Sequence, residues 1–171
     1  MGGIYERMYW NKDGVYGAIF GKDTRKCYDE YMILKVKKVS QEAILPSYAH
    51  DTDAGMDFFT NETITVPPGE TRRIKSGISV EIPEGFVGLF WDKSGLSMNH
   101  SIKVLAGVID AGFRGEIVMG VINLGKDSYT FEKGHKVMQM LIQPVNKVEI
   151  VETASLTDSD RGAGMLGSTG K

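Results

Sequence analysis

Five short stretches carry side chains able to do chemistry: AGMDFF at 54–59, DKSGLS at 92–97, GVIDAGFRGE at 107–116, GHKVMQM at 134–140 and RGAGMLGSTG at 161–170. In the second, the Ser94 hydroxyl and the successive backbone N–H groups of Ser94 and Gly95 open a helical turn, an arrangement suited to a phosphate. Lys93 adds a positive charge beside them. Asp110 has two readings. Its carboxylate is a base for a water within hydrogen-bond reach. Equally, Ile109-Asp110-Ala111-Gly112 reads as a hairpin turn in which Asp110 bonds its own backbone and Gly112 takes positive φ. Asp57 reads as a polar residue at a strand edge, and Gln139 by itself signals nothing. In the last stretch, glycines let backbone amides approach an anion, while Arg161, Ser168 and Thr169 add donors. Closure of such a lid excludes water; a plain flexible linker is the alternative.

The elements that must position these residues are short strands. Met32, Leu34 and Val36 alternate with Ile33, Lys35 and Lys37, and Ile78, Val80 and Ile82 alternate with Ser79 and Glu81. That is the period of two of a half-buried strand. Turns fall at Pro67-Pro68-Gly69, Pro83-Glu84-Gly85 and Lys133-Gly134, where proline presets φ and glycine accepts conformations other residues resist. Spaced in this way, the strands predict an all-β barrel or jelly roll. Only Ser94 to Asn99 looks helical, and it is too short for an amphipathic pattern. Ile117 to Ile122 is apolar on both faces, so that strand is expected between the core and a second surface, such as another subunit. Val137, Met138 and Met140 read as core.

Residues 1–31 differ from the rest. Their aromatic runs flank Asn11-Lys12-Asp13-Gly14, which predicts a β-hairpin, with Met8, Tyr9, Trp10, Val15 and Tyr16 on its strands. The domain proper is expected over 32–156. Beyond it, 157–171 is too polar and Gly-rich to offset its chain entropy and is expected to form a flexible arm.

Composition excludes several classes. Hydrophobic residues at 42% and charged residues at 25% are ordinary globular proportions and rule out a chain disordered throughout. A formal net charge of −2 offers no general attraction for nucleic acid or anionic lipid, so a phosphate ligand needs a local cluster of donors. The lone Cys27 forms no intrachain disulfide, no Cys/His cluster has zinc spacing, and His50, His100 and His135 read as surface or turn residues. With no signal peptide, lipidation signal or long apolar run, the expectation is a soluble, intracellular, unanchored protein.

In this order and at these separations, the five stretches resemble the five motifs of the trimeric dUTPases. The resemblance covers Met32 to Lys171 and implies a β-clip barrel or jelly roll that hydrolyses dUTP with Mg²⁺. It implies that Asp110 aims the attacking water at the α-phosphorus. Phe113, where the family usually has Tyr, would pack under the deoxyribose and exclude a 2′-hydroxyl. Gly107, Val108 and the strand at Val118 match the places that recognise uracil, and Leu166 stands where a Phe usually stacks on the base. Lys93, commonly Arg, would join Ser94, Gly95, Gln139, Arg161, Gly167, Ser168 and Thr169 at the phosphates. Asp57 would hold the magnesium assembly through water. Arg114 would serve structure or a subunit contact. The resemblance further implies a homotrimer with shared sites and donated tails. Two other readings are a dCTP deaminase or bifunctional deaminase–dUTPase of the same fold, against which IVMGVIN lacks a carboxylate, and a regulatory binding protein that has lost catalysis.

Overall fold

In a computed structural model, the described residues are 7–10 and 16–19 for the backbone, and 32–164 in full. In chain order the elements are β1 (Arg7–Trp10), β2 (Tyr16–Ile19), β3 (Lys35–Lys38), β4 (Met56–Phe59), β5 (Ile64–Val66), β6 (Thr71–Glu81) and β7 (Phe86–Asp92). There follow α1 (Ser94–His100), β8 (Ile102–Leu105), β9 (Val108–Asp110), β10 (Glu116–Asn123), β11 (Tyr129–Phe131) and β12 (Lys136–Pro144). Two four-stranded antiparallel sheets, ordered β3-β6-β10-β8 and β4-β12-β7-β9, carry the fold, and β5 pairs with β11. The all-β expectation holds. Among the described residues one helix is present, and it lies where the helical turn was expected.

Both large sheets feed one core. Ile74, Ile78, Ile117, Met119 and Val121 come from the first sheet, and Phe58, Phe90, Met138 and Met140 from the second. Full burial of each such side chain contributes about 1.5–3 kcal/mol. Phe58 and Phe90 meet edge to face at 4.9 Å, which ties β4 to β7 across β12. Val137, Met138 and Met140 are buried, as read from the sequence. Ile117, Met119, Val121 and Asn123 point inward from β10, while Val118 on its other face is 47% exposed.

Two expectations are corrected. Ser79 was read as the solvent face of its strand, yet β6 is buried continuously from Ser76 to Val80, because β3 and β10 flank it there and the Gly77 bulge breaks the alternation. Gly77 has φ +71°, and a Cβ there would meet Ala43 at 2.8 Å. Second, the 110–113 segment does turn, with the Phe113 N–H donating to the Asp110 carbonyl at 3.0 Å. However, β9 and β10 belong to different sheets, so it is a corner between sheets and not a hairpin. Gly112 has no positive φ; the positive-φ glycines include 69, 85 and 134, at the three expected turns. The last strand ends at Pro144; beyond it the Val145 N–H donates to the Gly85 carbonyl at 2.8 Å, and residues 145–156 are exposed.

Strands β1 and β2 pair antiparallel, with Trp10 opposite Tyr16, as a hairpin requires; the turn residues 11–15 lie outside the described residues. Among the described residues no helix is long and apolar enough to cross a membrane.

Candidate functional site

Strand β7 organises the site because the chemistry-bearing residues attach at its two ends. At one end β9 pairs with it, Val87 lying opposite Asp110 and Leu89 opposite Val108. Gly107 makes this approach possible: its carbonyl accepts the Phe90 N–H at 2.8 Å, and a Cβ would meet the Phe90 carbonyl at 3.1 Å. The preceding Ala106 is held at φ +61°, a conformation that non-glycine residues adopt at a cost. Asp110 is exposed at the mouth of a cleft of about 720 Å³ shared with Val108, Gly112, Val145 and Lys147. Among the described residues, no hydrogen bond or ion pair occupies its carboxylate. Arg114 braces the corner beside it, donating to the Ala111 and Phe113 carbonyls at 2.5 and 2.8 Å, which is the structural role read for it. The Phe113 ring lies over Gly115, where a Cβ would meet its Cζ at 2.7 Å.

At the other end of β7, Lys93 is still extended, and α1 begins at Ser94. The first helical bond is Ser97 N–H to Lys93 carbonyl, so the N–H groups of Ser94, Gly95 and Leu96 have no partner within the helix. Ser94 and Gln139 line one cleft with Gly55, Trp91 and Ser97. Gln139 is directed by its neighbours: its Nε2 donates to the Asp92 carbonyl at 2.9 Å, and its Oε1 lies 2.6 Å from where a Cβ of Gly55 would stand. Asp92 is itself tied to β8, its carboxylate accepting the Val104 N–H at 2.7 Å and the Lys103 ammonium. Lys93 and Gly95 face a second cleft that also contains Lys136 and His135.

Asp57 lies below these residues on β4, opposite Gln139 of β12. Its side chain is only 3% exposed, and both oxygens are taken, one by the Lys93 ammonium and the other by that of Lys136 at 2.6 Å. Burial pushes the carboxyl up. The hydrogen bonds and charges of Lys136 and Lys93 outweigh that and hold it below its ordinary 3.8. A carboxyl lowered in the folded state stabilises the fold fully above its unfolded value and loses that effect as pH falls through its folded one. Melting temperature is therefore expected to drop more steeply below about pH 4 in the native chain than in Asp57→Asn, measured by calorimetry. Parallel acid limbs would contradict this.

Among the described residues there is no group of three His, Cys, Asp or Glu side chains able to hold a metal ion. The buried and doubly paired Asp57 does not fit as a metal anchor, even through one water, while both lysines hold it. The donors suit an ion that arrives on the phosphates of a ligand, since magnesium keeps most of its own water.

The structure thus groups Lys93 with Asp57, and Ser94 with Gln139, while Gly107 and Val108 run along β7 beside Phe90 and Leu89 and lead to Asp110 opposite Val87 at its far end, with Phe113 on the corner beyond. Val118 lies on the outer face of β10. Arg161 is exposed, its Nε donating to the Gly164 carbonyl at 3.1 Å. Leu166, Gly167, Ser168 and Thr169 lie outside the described residues. Lys136 and Asp92 were missed by sequence reasoning. Nothing in GHK marks its lysine, whose meaning comes from a carboxylate 79 positions away.

Residues 41–170 match the dUTPase family model. The chain is 45% identical over 139 residues to deoxyuridine 5′-triphosphate nucleotidohydrolase of Clostridioides difficile, covering 80% of this chain and 97% of that protein. It is 46% identical over 140 residues to the protein of the same description from Clostridium tetani, covering 81% and 97%. Among solved structures, the dUTPase of Staphylococcus bacteriophage 80alpha with dUpNHpp superposes with a TM-score of 0.77 at 31% identity, over 81% of this chain and 99% of that one. A variant dUTPase of S. aureus phage phi11, described for its coordination of a structural Mg(II) ion, superposes at 0.68 and 29% identity over 72% and 97%.

Proposed function

Because the chain belongs to the dUTPase family, we propose that it hydrolyses dUTP to dUMP and pyrophosphate in a site assembled from more than one copy of the chain. One observation carries the assembled site. Asp110 lies opposite Val87 and Lys93 follows six extended residues later, so at about 3.3 Å per residue the base and the phosphate donors stand roughly 20 Å apart in one chain. A base acts on a phosphorus through one intervening water and so must stand within hydrogen-bond reach of a water that itself touches the phosphorus. That separation favours a site in which a triphosphate held at Lys93 and Ser94 of one copy is attacked from Asp110 of another. A second copy closes that gap. The exposed Val108, Phe113 and Val118, and the unpaired run holding Val148, Ile150 and Val151, provide apolar surface for the contact. A homotrimer in which each site draws on neighbouring copies satisfies these conditions.

In this reading Asp110 takes a proton from water, whose oxygen bonds to the α-phosphorus as the bond to the bridging oxygen of the β-phosphate breaks. Pyrophosphate leaves. Lys93, the N–H groups that open α1, and Gln139 hold the phosphates; Arg161 and the Ser168 and Thr169 hydroxyls cover them from the arm. Gly107, Val108 and the strand at Val118 present backbone groups to uracil, and Phe113 underlies the deoxyribose. Lys93, Ser94 and Gln139 would hold the phosphates of a Mg²⁺-loaded triphosphate, the ion supplying charge neutralisation when bound. Leu166 replaces a stacking aromatic, which weakens base capture by about 1 kcal/mol. Val118, Gly120 and Ile122, on the outer side of β10, provide no carboxylate for a deaminase.

The direct test incubates the protein with each deoxynucleoside triphosphate and Mg²⁺ and measures pyrophosphate and ammonia separately. Pyrophosphate from dUTP alone is expected; ammonia from dCTP would overturn the reading. Site sharing has its own test. Asp110→Asn and Lys93→Met/Gln139→Ala chains are each expected to be nearly inactive. Co-refolded in equal amounts, they should regain about a quarter of native turnover, the fraction of interface sites that draw both intact halves. No recovery would mean that each site lies within one chain.

A further inference from the structure

We propose that Asp57 is a positioning residue for Lys93, and that Lys136 is the second cation that leaves the pair with a charge to offer a phosphate. This rests on the reading of Lys93 as a phosphate donor. A carboxylate facing one ammonium makes a neutral pair, which has little attraction for an anion. Here the buried Asp57 faces two, so the three side chains together carry one net positive charge, with the lysine side chains 26% and 45% exposed. Lysine is a point charge on a flexible stem and lacks the planar fork that lets arginine fix its own geometry. Anchoring the Lys93 ammonium on a carboxylate with almost no solvent contact provides that geometry from the protein.

The local backbone supports the arrangement. Asp57 and Gln139 are cross-strand partners and so share a face, whereas Lys136, three residues before Gln139, would face the other way in a regular strand. A register irregularity between Lys136 and Met138 re-aims Lys136, and its ammonium reaches the free oxygen of Asp57. Lys136 also lines the cleft that Lys93 and Gly95 face, so the excess charge lies next to the opening of α1.

The test uses the full chain with Lys136→Met and Lys136→Arg. Equilibrium binding of dUpNHpp and of inorganic pyrophosphate is measured with Mg²⁺ and in EDTA, alongside kcat, KM and the Mg²⁺ concentration for half-maximal rate. Lys136→Met is expected to weaken both ligands about tenfold in either condition, the size of one lost charge-assisted contact. KM should rise with it, kcat should change less than about threefold, and the Mg²⁺ requirement should hold. Lys136→Arg should bind within about twofold of the native chain. If Lys136→Met does not fold, Asp57→Asn/Lys136→Met keeps the net charge without leaving one buried carboxylate oxygen partnerless. It should bind the analogue more weakly than the native chain at an unchanged Mg²⁺ requirement. Native affinity in Lys136→Met, or variants that raise only the Mg²⁺ requirement, would overturn the proposal, the latter making Asp57 a metal anchor. Native turnover of dUTP is the control: its absence would defeat the proposed function, whereas normal native turnover with unaffected variants would defeat only the clamp.

Discussion

Asp110→Asn is expected to lower kcat about a thousandfold, within the usual range for loss of a general base, while leaving folding, assembly and dUpNHpp affinity close to native. The amide keeps the size of the carboxylate but cannot take the proton of the attacking water. The fold has little reason to respond, because Asp110 is exposed, its carboxylate makes no hydrogen bond or ion pair among the described residues, and Arg114 braces the corner through the Ala111 and Phe113 carbonyls. Steady-state kinetics with dUTP, together with calorimetric binding of dUpNHpp, separates the two effects. Turnover within tenfold of native would remove Asp110 from the chemistry.

Removing residues 161–171 is expected to cut turnover at least about a hundredfold, as when preorganised donors to a reacting phosphate are lost, with a melting-temperature change below about 2 °C. The asymmetry follows from the fold. The last strand ends at Pro144 and, among the described residues, the buried cluster contains none beyond it, so residues 161–164 of the arm add nothing to the core. The arm contributes Arg161, two hydroxyls and glycine amides, which matter only when phosphates are present. A large drop in melting temperature would show that the tail is part of the folded unit.

Strand order follows rules that act over a few residues, and those rules were legible. Leu34 and Val36 pack against the core as their period of two predicted, Gly69, Gly85 and Gly134 have the positive φ their turns needed, and the short helix begins at Ser94. The rules failed where neighbours in space decide burial. Ser79 is covered because β3 and β10 flank its strand, and the turn after Asp110 joins two sheets where local chemistry suggested a hairpin.

The candidate site divides in the same way. Types and spacing of side chains were enough to point to phosphate chemistry, a base at Asp110 and a family, since those signals lie within stretches of six to ten residues. Which of these groups meet was decided only by tertiary structure. Asp57 lies 36 positions from Lys93 and 79 from Lys136, and their contact depends on the pairing of β4 with β12 and on one bulge. The separation of Asp110 from Lys93 likewise comes from β9 pairing at the far end of β7. Strand register is a long-range property: shifting it by one residue turns every side chain to the other face, and no local stretch of sequence records where a distant strand will lie.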